Sequence, residues 1–500
     1  MPHDEAWGKT PETVGVAGLG VSGIAAATLL RGQGYRVVGF DQATRERADF
    51  PQLDQVISNA DPEALAQKIV DQRPRFLVVS PGIPESSPLV TEPKAAGVEV
   101  IGEVQLAWNL SVGKGQPNWL CVTGTNGKTT TVGMLASILE AAGLQAAAVG
   151  NVGYPITEAA FQGLEAMAVE LSSFQLATSQ NLHPAASICL NIDSDHLDWH
   201  GSRDAYIDAK AAVYNGTRIA RFYFADEPET QKMAENASDA QGSLLVPLTF
   251  AEVPEGSIGL VGGVVVDKSG LSHLEFDQVA SERAATSTKI AIANFAEIPL
   301  LAGAIQEDAG VNDPLVRDAL AAVALARAQG VAPEAIQQGL TQFRPDAHRR
   351  EPVGEFEGVH WVNDSKATNV HAAIAAASAS PAGHLVWIMG GDAKGQDLRP
   401  LAAAAGLLAK AVVVLGASPE ALQTLLKEEA PETPLVVICE DEEPRKLMGD
   451  AVRACAEFAA AGDTVLLAPG CASWDQFASY AERGSLFREA IKEMYAMKGK

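Results

Sequence analysis

Short apolar runs recur along the chain, each followed by a turn signal and a stretch of helical, often alanine-rich spacing. The first, Val14–Ala17, leads through a glycine loop at Gly18–Gly23 into a helix reaching Arg31, and the next, Val37–Phe40, stops at Asp41. Runs at Phe76–Ser80 and Val98–Gly102 continue the alternation, which is the texture of a doubly wound α/β layer. Gly113–Pro117, G-K-G-Q-P, reads as a linker. A second unit opens with Trp119–Thr123, a loop and a helix from about Lys128, and it includes strand-like runs at Ala168–Ser173 and Ser187–Ile192. Clear periodicity is lost from about Asp226 to Pro314, where Leu260–Phe276 reads as a small antiparallel hairpin or meander; a helix over Asp313–Gln329 closes the unit. Strand-like runs at Val359–Asn363, Leu385–Gly391, Ala411–Gly416, Leu435–Ile438 and Thr464–Pro469 alternate with helices in a third unit. The pattern predicts three α/β domains in series. They are a Rossmann-like N-terminal domain over 1–112, a central P-loop-type domain over 113–344 with an insertion at about 226–300, and a Rossmann-like C-terminal domain over 345–500.

Composition narrows the class. A chain 47% hydrophobic and 20% charged is globular rather than disordered. No apolar run approaches the roughly 18 residues a membrane span needs, since Lys410 interrupts the nearest candidate, Leu401–Gly416. The N-terminal MPHDEAWGKTPE lacks a signal-peptide layout, and Cys121, Cys189, Cys439, Cys455 and Cys471 show no C-x-x-C spacing. Both features predict reduced core thiols in a cytoplasmic protein. The net charge of −25 argues against nucleic acid as a partner, so an anionic ligand must be held by local devices.

Two loops have the form of such devices. Thr123–Thr131, T-G-T-N-G-K-T-T-T, lies between a strand and a helix but has Val122 where a Walker A loop has its first glycine. Backbone N–H groups and the helix dipole would still surround an anion there, with Lys128 reaching β/γ-phosphates and the Thr129 hydroxyl ligating Mg²⁺. Gly18-x-Gly20-x-x-Gly23, with Asp41 ending the next strand, is a Rossmann-type fingerprint compatible with NAD(P), another nucleotide diphosphate, or close helix–strand packing alone. Glu170 ends a strand beside the first loop, and His196 stands among acids in N-I-D-S-D-H-L-D, a composition suited to Mg²⁺ rather than zinc. In the third unit Arg349, Lys366 and Lys394 occupy loops, the last two just after strand ends, where ligands of open α/β sheets collect.

In order along the chain, T-G-T-N-G-K-T-T, E-L-S-S-F-Q from Glu170, D-H-L-D at 195–198, His348-Arg349 and N-D-S-K-A-T-N from Asn363 resemble the Mur ligases, which build the peptide of bacterial peptidoglycan. Asp364–Asn369, Gly390–Asp397 and Cys471–Phe477 look like the branch that adds D-glutamate to UDP-N-acetylmuramoyl-L-alanine. The resemblance implies an ATP-dependent amide ligase working through an acyl phosphate. It implies that Gly124, Thr125, Asn126, Gly127, Lys128, Thr129 and Thr130 wrap the ATP phosphates, with Arg349, Asp364 and Lys366 also on the nucleotide. Val21, Ser22, Asp41, Gln42, Ser80, Pro81 and Gly82 would line the uridine diphosphate pocket, and Asn151, Ser172, Gln175 and His196 would hold the muramoyl-alanine end. Thr368, Lys394, Ser473, Trp474 and Tyr480 would take D-glutamate. Two Mg²⁺ sites are implied, one on Thr129 and Glu170, the other on His196 and Lys210 as a carbamate; Lys210 read alone is an ordinary helix-surface lysine. A monomer with small-molecule partners is expected.

The family usually carries G-x-H-N-x-x-N before the helix of the central unit's end. Here Ala302–Ala322 has no His-Asn pair, and Asp318 stands in place of the final asparagine. Three other readings are open to test: a sister ligase joining a different amino acid, an NAD(P)-dependent oxidoreductase using Gly18–Gly23, and a nonenzymatic nucleotide-binding scaffold. The oxidoreductase leaves Lys128, Glu170 and His196 without a task.

Overall fold

A computed structural model describes residues 12–111, 113, 115–151, 155–193, 197–238, 240, 242–271, 290–306, 313–345, 347–393, 396–438 and 443–498. The chain divides into two compact units, residues 1–311 with 315–343, and residues 312–314 with 344–500.

The first unit holds two sheets. Strands β1 (Thr13–Ala17), β2 (Arg36–Asp41), β3 (Gln55–Ser58), β4 (Phe76–Val79) and β5 (Glu99–Gly102) form a parallel sheet in the order β3-β2-β1-β4-β5. Val14, Val16, Val37, Val38, Leu77 and Val79 are fully buried, as expected of parallel strands covered by helices on both faces. The order changes direction at β1 and β4, which places the glycine loop after β1 at the switch point of the sheet.

The larger sheet is built from β6 (Asn118–Thr123), β7 (Ala146–Gly150), β8 (Ala166–Glu170), β9 (Ala186–Cys189), β10 (Ala220–Phe224), β11 (Leu244–Phe250), β12 (Ile258–Val261), β13 (Val264–Asp267) and β14 (Ile290–Asn294). Its order is β14-β13-β12-β11-β10-β9-β6-β8-β7. The hairpin expected within 260–276 is present as the antiparallel pair β12/β13, although 272–289 lie outside the described residues. The structure departs from the sequence expectation in the rest of this region. The segment read as aperiodic continues the central sheet, with β11 and β12 extending it in parallel from β10 and β14 adding an antiparallel edge. The predicted helix after it runs from Pro314 to Ala328 and is buried along most of its length.

Two side chains of the helix Glu103–Ser111, which follows β5, help to lock the first unit together. The carboxylate of Glu103, buried at the start of that helix, accepts from the Thr157 backbone N–H at 2.9 Å, and Gln105 Oε1 accepts from the N–H groups of Gln180 and Asn181.

In the second unit β15 (Glu351–Phe356), β16 (Val359–Asn363), β17 (Leu385–Gly390), β18 (Ala409–Leu415), β19 (Leu435–Ile438) and β20 (Thr464–Leu467) form a sheet ordered β15-β16-β20-β17-β18-β19. All neighbours are parallel except the β15/β16 hairpin. Apolar layers cover both faces, and the buried Trp387 indole donates to the Ala468 carbonyl at 2.8 Å, fixing the chain where it leaves β20.

Candidate active site

The loop after β6 owes its shape to two glycines. Gly124 and Gly127 have φ of +148° and +84°, and a Cβ on Gly127 would lie 2.2 Å from Asp318 Oδ1, so neither position accepts another residue without strain. Asn191, just beyond β9, grips the loop from beneath: its Oδ1 accepts from the Asn126 N–H at 2.9 Å, and its carbonyl accepts from the Thr125 N–H at 3.1 Å. The Thr125 hydroxyl lies 2.9 Å from the Tyr206 hydroxyl. These bonds hold the loop open ahead of the helix Lys128–Ala141, whose first turn carries no acidic side chain. An anion at that terminus meets aligned N–H dipoles and no acid on the helix's own first turn, although the carboxylates of Glu170 and Asp318 stand close by.

Lys128 extends back over the loop and donates from Nζ to the carbonyls of Gly124 and Thr125, both at 2.8 Å. Thr129 points the other way, donating its hydroxyl to Glu170 Oε2 at 2.7 Å, while Asn151 Nδ2 donates to Oε1 at 2.9 Å. Glu170 is only 2% exposed, and the parallel pairing of β6 with β8 sets its place beside the loop. Ser172 and Gln175 form a reciprocal capping box on the helix Ser173–Ala177, which starts three residues after the carboxylate. Lys210 is 2% exposed, not a surface lysine: its Nζ donates to the Gly124 carbonyl at 2.8 Å and to Thr123 Oγ1 at 3.4 Å. The structure thus gathers Lys128, Thr129, Asn151, Glu170 and Lys210 around one loop. His196 lies outside the described residues.

The early glycine loop is shaped by Asp41, whose Oδ2 accepts from the Leu19 N–H at 2.9 Å and whose Oδ1 accepts from the Ala43 N–H at 2.8 Å. Ser80 Oγ donates to the Gly18 carbonyl at 2.8 Å, and a Cβ on Gly23 would meet that same oxygen at 1.9 Å. The helix Val21–Gly32 begins at Gly20 with no side chain capping it, and Val21 is 78% exposed. Ser22 sits in the first turn of this helix. Gln42 follows Asp41, and Pro81 and Gly82 follow Ser80, at the carboxyl ends of β2 and β4, so all these residues share one edge of the sheet.

In the second unit the H-R-R-E segment is strained. His348 and Arg350 have φ of +68° and +42°, values that non-glycine residues adopt only when their surroundings fix them. The fixing bonds are visible. The His348 carbonyl accepts from the Lys366 N–H at 3.1 Å, the Arg350 N–H donates to Asp364 Oδ1 at 3.2 Å, and the His348 N–H donates to Glu351 Oε2 at 3.0 Å. Arg349 is therefore displayed between two pinned neighbours, beside Asp364 and Lys366. Crowding away from water pushes the Asp364 carboxyl up to about 6, with the Arg350 N–H bond and the nearby guanidinium charges opposing that shift.

The remaining predicted amino-acid contacts converge on the same sheet edge. Thr368 follows Lys366, with its N–H bonded to the Lys366 carbonyl, and Ser473 is buried. A two-bond bridge between Asp392 and Ala472 joins the loop after β17 to the loop after β20. Trp474 is 71% exposed, and Tyr480 opens the helix Tyr480–Lys498. Lys394 lies outside the described residues.

Sequence reasoning passed over Asn191 and Tyr206 as loop supports, and Arg483 altogether. Tyr206 precedes Lys210 by four residues and so shares its helix face, a spacing that could have flagged it. Arg483 is 1% exposed; its guanidinium donates to Ser365 Oγ and to the carbonyls of Ser365, Cys471 and Ala472. Burial lowers its pKa to about 10.

Three family profiles match the chain: a Mur ligase MurD-like N-terminal domain over residues 12–102, a Mur ligase middle domain over 122–250, and a Mur ligase glutamate ligase domain over 348–471. The UDP-N-acetylmuramoylalanine--D-glutamate ligase of Streptomyces avermitilis is 40% identical over 495 residues, covering 97% of this chain and 99% of that protein. Among solved structures, the UDP-N-acetylmuramate-alanine ligase MurC of Thermotoga maritima aligns with a TM-score of 0.51 at 16% identity, over 97% of this chain and 99% of that one. A MurF ligase from the same organism, in complex with ADP, aligns with a TM-score of 0.50 at 14% identity, over 97% and 96%. Both likenesses are of fold.

Proposed function

The chain belongs to the Mur ligase family, and from that premise we propose that it joins D-glutamate to UDP-N-acetylmuramoyl-L-alanine at the expense of ATP, in cytoplasmic peptidoglycan precursor synthesis. The observation that carries the reading at the site is the convergence of Lys128, the Thr129–Glu170 pair and buried Lys210 on one phosphate-type loop.

The alanine carboxylate of the sugar nucleotide attacks the γ-phosphate, giving an acyl phosphate and ADP. The D-glutamate amine then attacks the acyl carbon, and phosphate leaves from the tetrahedral intermediate. Lys128 leaves its two carbonyls to meet the β/γ-phosphates, which Gly124–Thr130 wrap, with the Thr125 and Asn126 N–H groups kept on Asn191 and the N–H groups of the first helical turn left for the anion. Asp41, Ser80 and the free terminus at Gly20–Ser22 suit the diphosphate and ribose of the UDP group, with Gln42, Pro81 and Gly82 beside them. Asn151, Ser172, Gln175 and His196 are assigned to the muramoyl-alanine end, and Arg349, Asp364 and Lys366 to the nucleotide. Thr368, Lys394, Ser473, Trp474 and Tyr480 are assigned to D-glutamate.

The donor set fits magnesium. Thr129 and Glu170 present hard oxygens 2.7 Å apart at the loop assigned to the phosphates, the donor type that suits an ion also bound by phosphate and water. Thr129 and Glu170 would hold one ion; His196 and Lys210, the latter as a carbamate that supplies anionic oxygens, would hold a second. Bound there, magnesium would neutralise charge between the anionic reactants. No described helix is long and apolar enough to cross a membrane, and one chain carries every assigned site, so a monomer suffices.

The test is ADP release measured with each amino acid in turn. Release that requires both UDP-N-acetylmuramoyl-L-alanine and D-glutamate is expected; equal release with L-alanine or diaminopimelate in place of D-glutamate would move the chain to a sister activity.

A further inference from the structure

Two residues assigned to different ligands touch each other. Lys366 Nζ donates to the Tyr480 hydroxyl at 2.7 Å and lies 4.1 Å from the centre of that ring. Among the described residues this ammonium has no carboxylate within ion-pair distance, although the protein carries a net charge of −25. The phenol oxygen is its hydrogen-bond partner, and a flexible four-carbon stem held by one bond is positioned by that bond.

Tyr480 is itself held from two sides. Its carbonyl accepts from Ser365 Oγ at 2.8 Å and its ring meets His348 edge-on at 6.4 Å; Arg483, one turn further along the same helix, ties that Ser365 to Cys471 and Ala472. The residue that carries the hydroxyl is therefore anchored at its backbone and beside its ring. It stands where the 364–366 loop and the 471–473 loop are bound together.

The geometry points to Tyr480, assigned above to the amino-acid pocket, as a positioning residue that acts through Lys366: its hydroxyl sets the lysine that serves the nucleotide. Occupancy of one pocket is thereby linked to the other through a single side chain. The inference rests on the assignment of Lys366 to the nucleotide made above.

The experiment pairs Tyr480→Phe with Lys366→Met in the full-length enzyme. Tyr480→Phe keeps the ring and deletes the hydroxyl, so KM for ATP should rise about 3–10-fold while KM for D-glutamate stays within about twofold. ADP binding by calorimetry should weaken in Lys366→Met, and adding Tyr480→Phe to that variant should change it by less than about twofold. A Tyr480→Phe enzyme whose KM rises for D-glutamate and not for ATP overturns the proposal, as do additive effects in the double variant. The two failures separate cleanly. Unaltered ADP binding in Lys366→Met removes the nucleotide role of the lysine and this coupling with it, whereas weakened binding there beside a silent Tyr480→Phe removes the coupling alone.

Discussion

Replacing Lys128 by alanine separates the stability of the loop from its chemistry. The ammonium bonds two carbonyls at 2.8 Å, but the Gly124 carbonyl also accepts from Lys210 at 2.8 Å and keeps that partner in the variant. The Thr125 carbonyl loses the lysine at a half-buried site, a change worth about 1 kcal/mol. Turnover should suffer far more. An ammonium able to span two oxygens can make two charge-assisted bonds to phosphate, each worth about 1.5–3 kcal/mol. Their sum, about 3–6 kcal/mol, corresponds to about 10²–10⁴-fold in kcat/KM. Phosphate release under varied ATP measures the loss, and urea unfolding of the same preparation measures the fold. A variant within tenfold of the parent kcat/KM, with an unchanged unfolding curve, would refute the placement of Lys128 on the phosphates. A loss of stability well above about 1 kcal/mol would instead refute the account of the loop.

Glu170→Gln keeps the side chain's volume and an acceptor for Thr129 or Asn151 but removes the charge, so the melting curve should hardly move. Its kcat should fall by more than the roughly 10–100-fold typical of groups one shell away from a metal, read as ADP release across a magnesium titration. Asp364 holds its proton to about pH 6 in the folded chain against about 3.9 when unfolded, so between those values the folded state binds more protons. The stability this contributes is present below about pH 4, fades as pH rises to 6 and is flat above; Asp364→Asn should abolish that slope in urea midpoints taken from pH 4 to 7. Asp267→Asn should destabilise by about 3–5 kcal/mol, because it leaves Arg327, 6% exposed and 3.0 Å away, as a buried charge without its counter-ion. Adding Arg327→Met should recover most of that loss in the same unfolding assay.

How much of this was legible depended on the range of the interactions. Gly18–Gly23 and Gly124–Lys128 were readable because each is a local strand–turn–helix instruction whose glycines and lysine act within a few residues of one another. Lys210 was readable only through the resemblance: its spacing in Arg203–Ala211 is that of a helix surface, and only the approach of that helix to Gly124, 86 residues earlier, buries it. Strand β11 hid for a different reason. Pro247 interrupts Leu244–Phe250 and argues against a strand with neighbours on both sides, yet the strand pairs with both β10 and β12. Its burial alternates at Val246 and Leu248, but L-L-V-P-L-T-F is apolar at nearly every position, so no apolar–polar period marks it. The departure at Asp318 acquires meaning only in three dimensions. Its carboxylate sits where a side chain on Gly127 would have to go, so the exchange of an amide for an acid falls at the turn from which the phosphate-facing helix starts. A change that looks remote in sequence thus acts on the loop itself, and the glycine at 127 and the acid at 318 constrain each other.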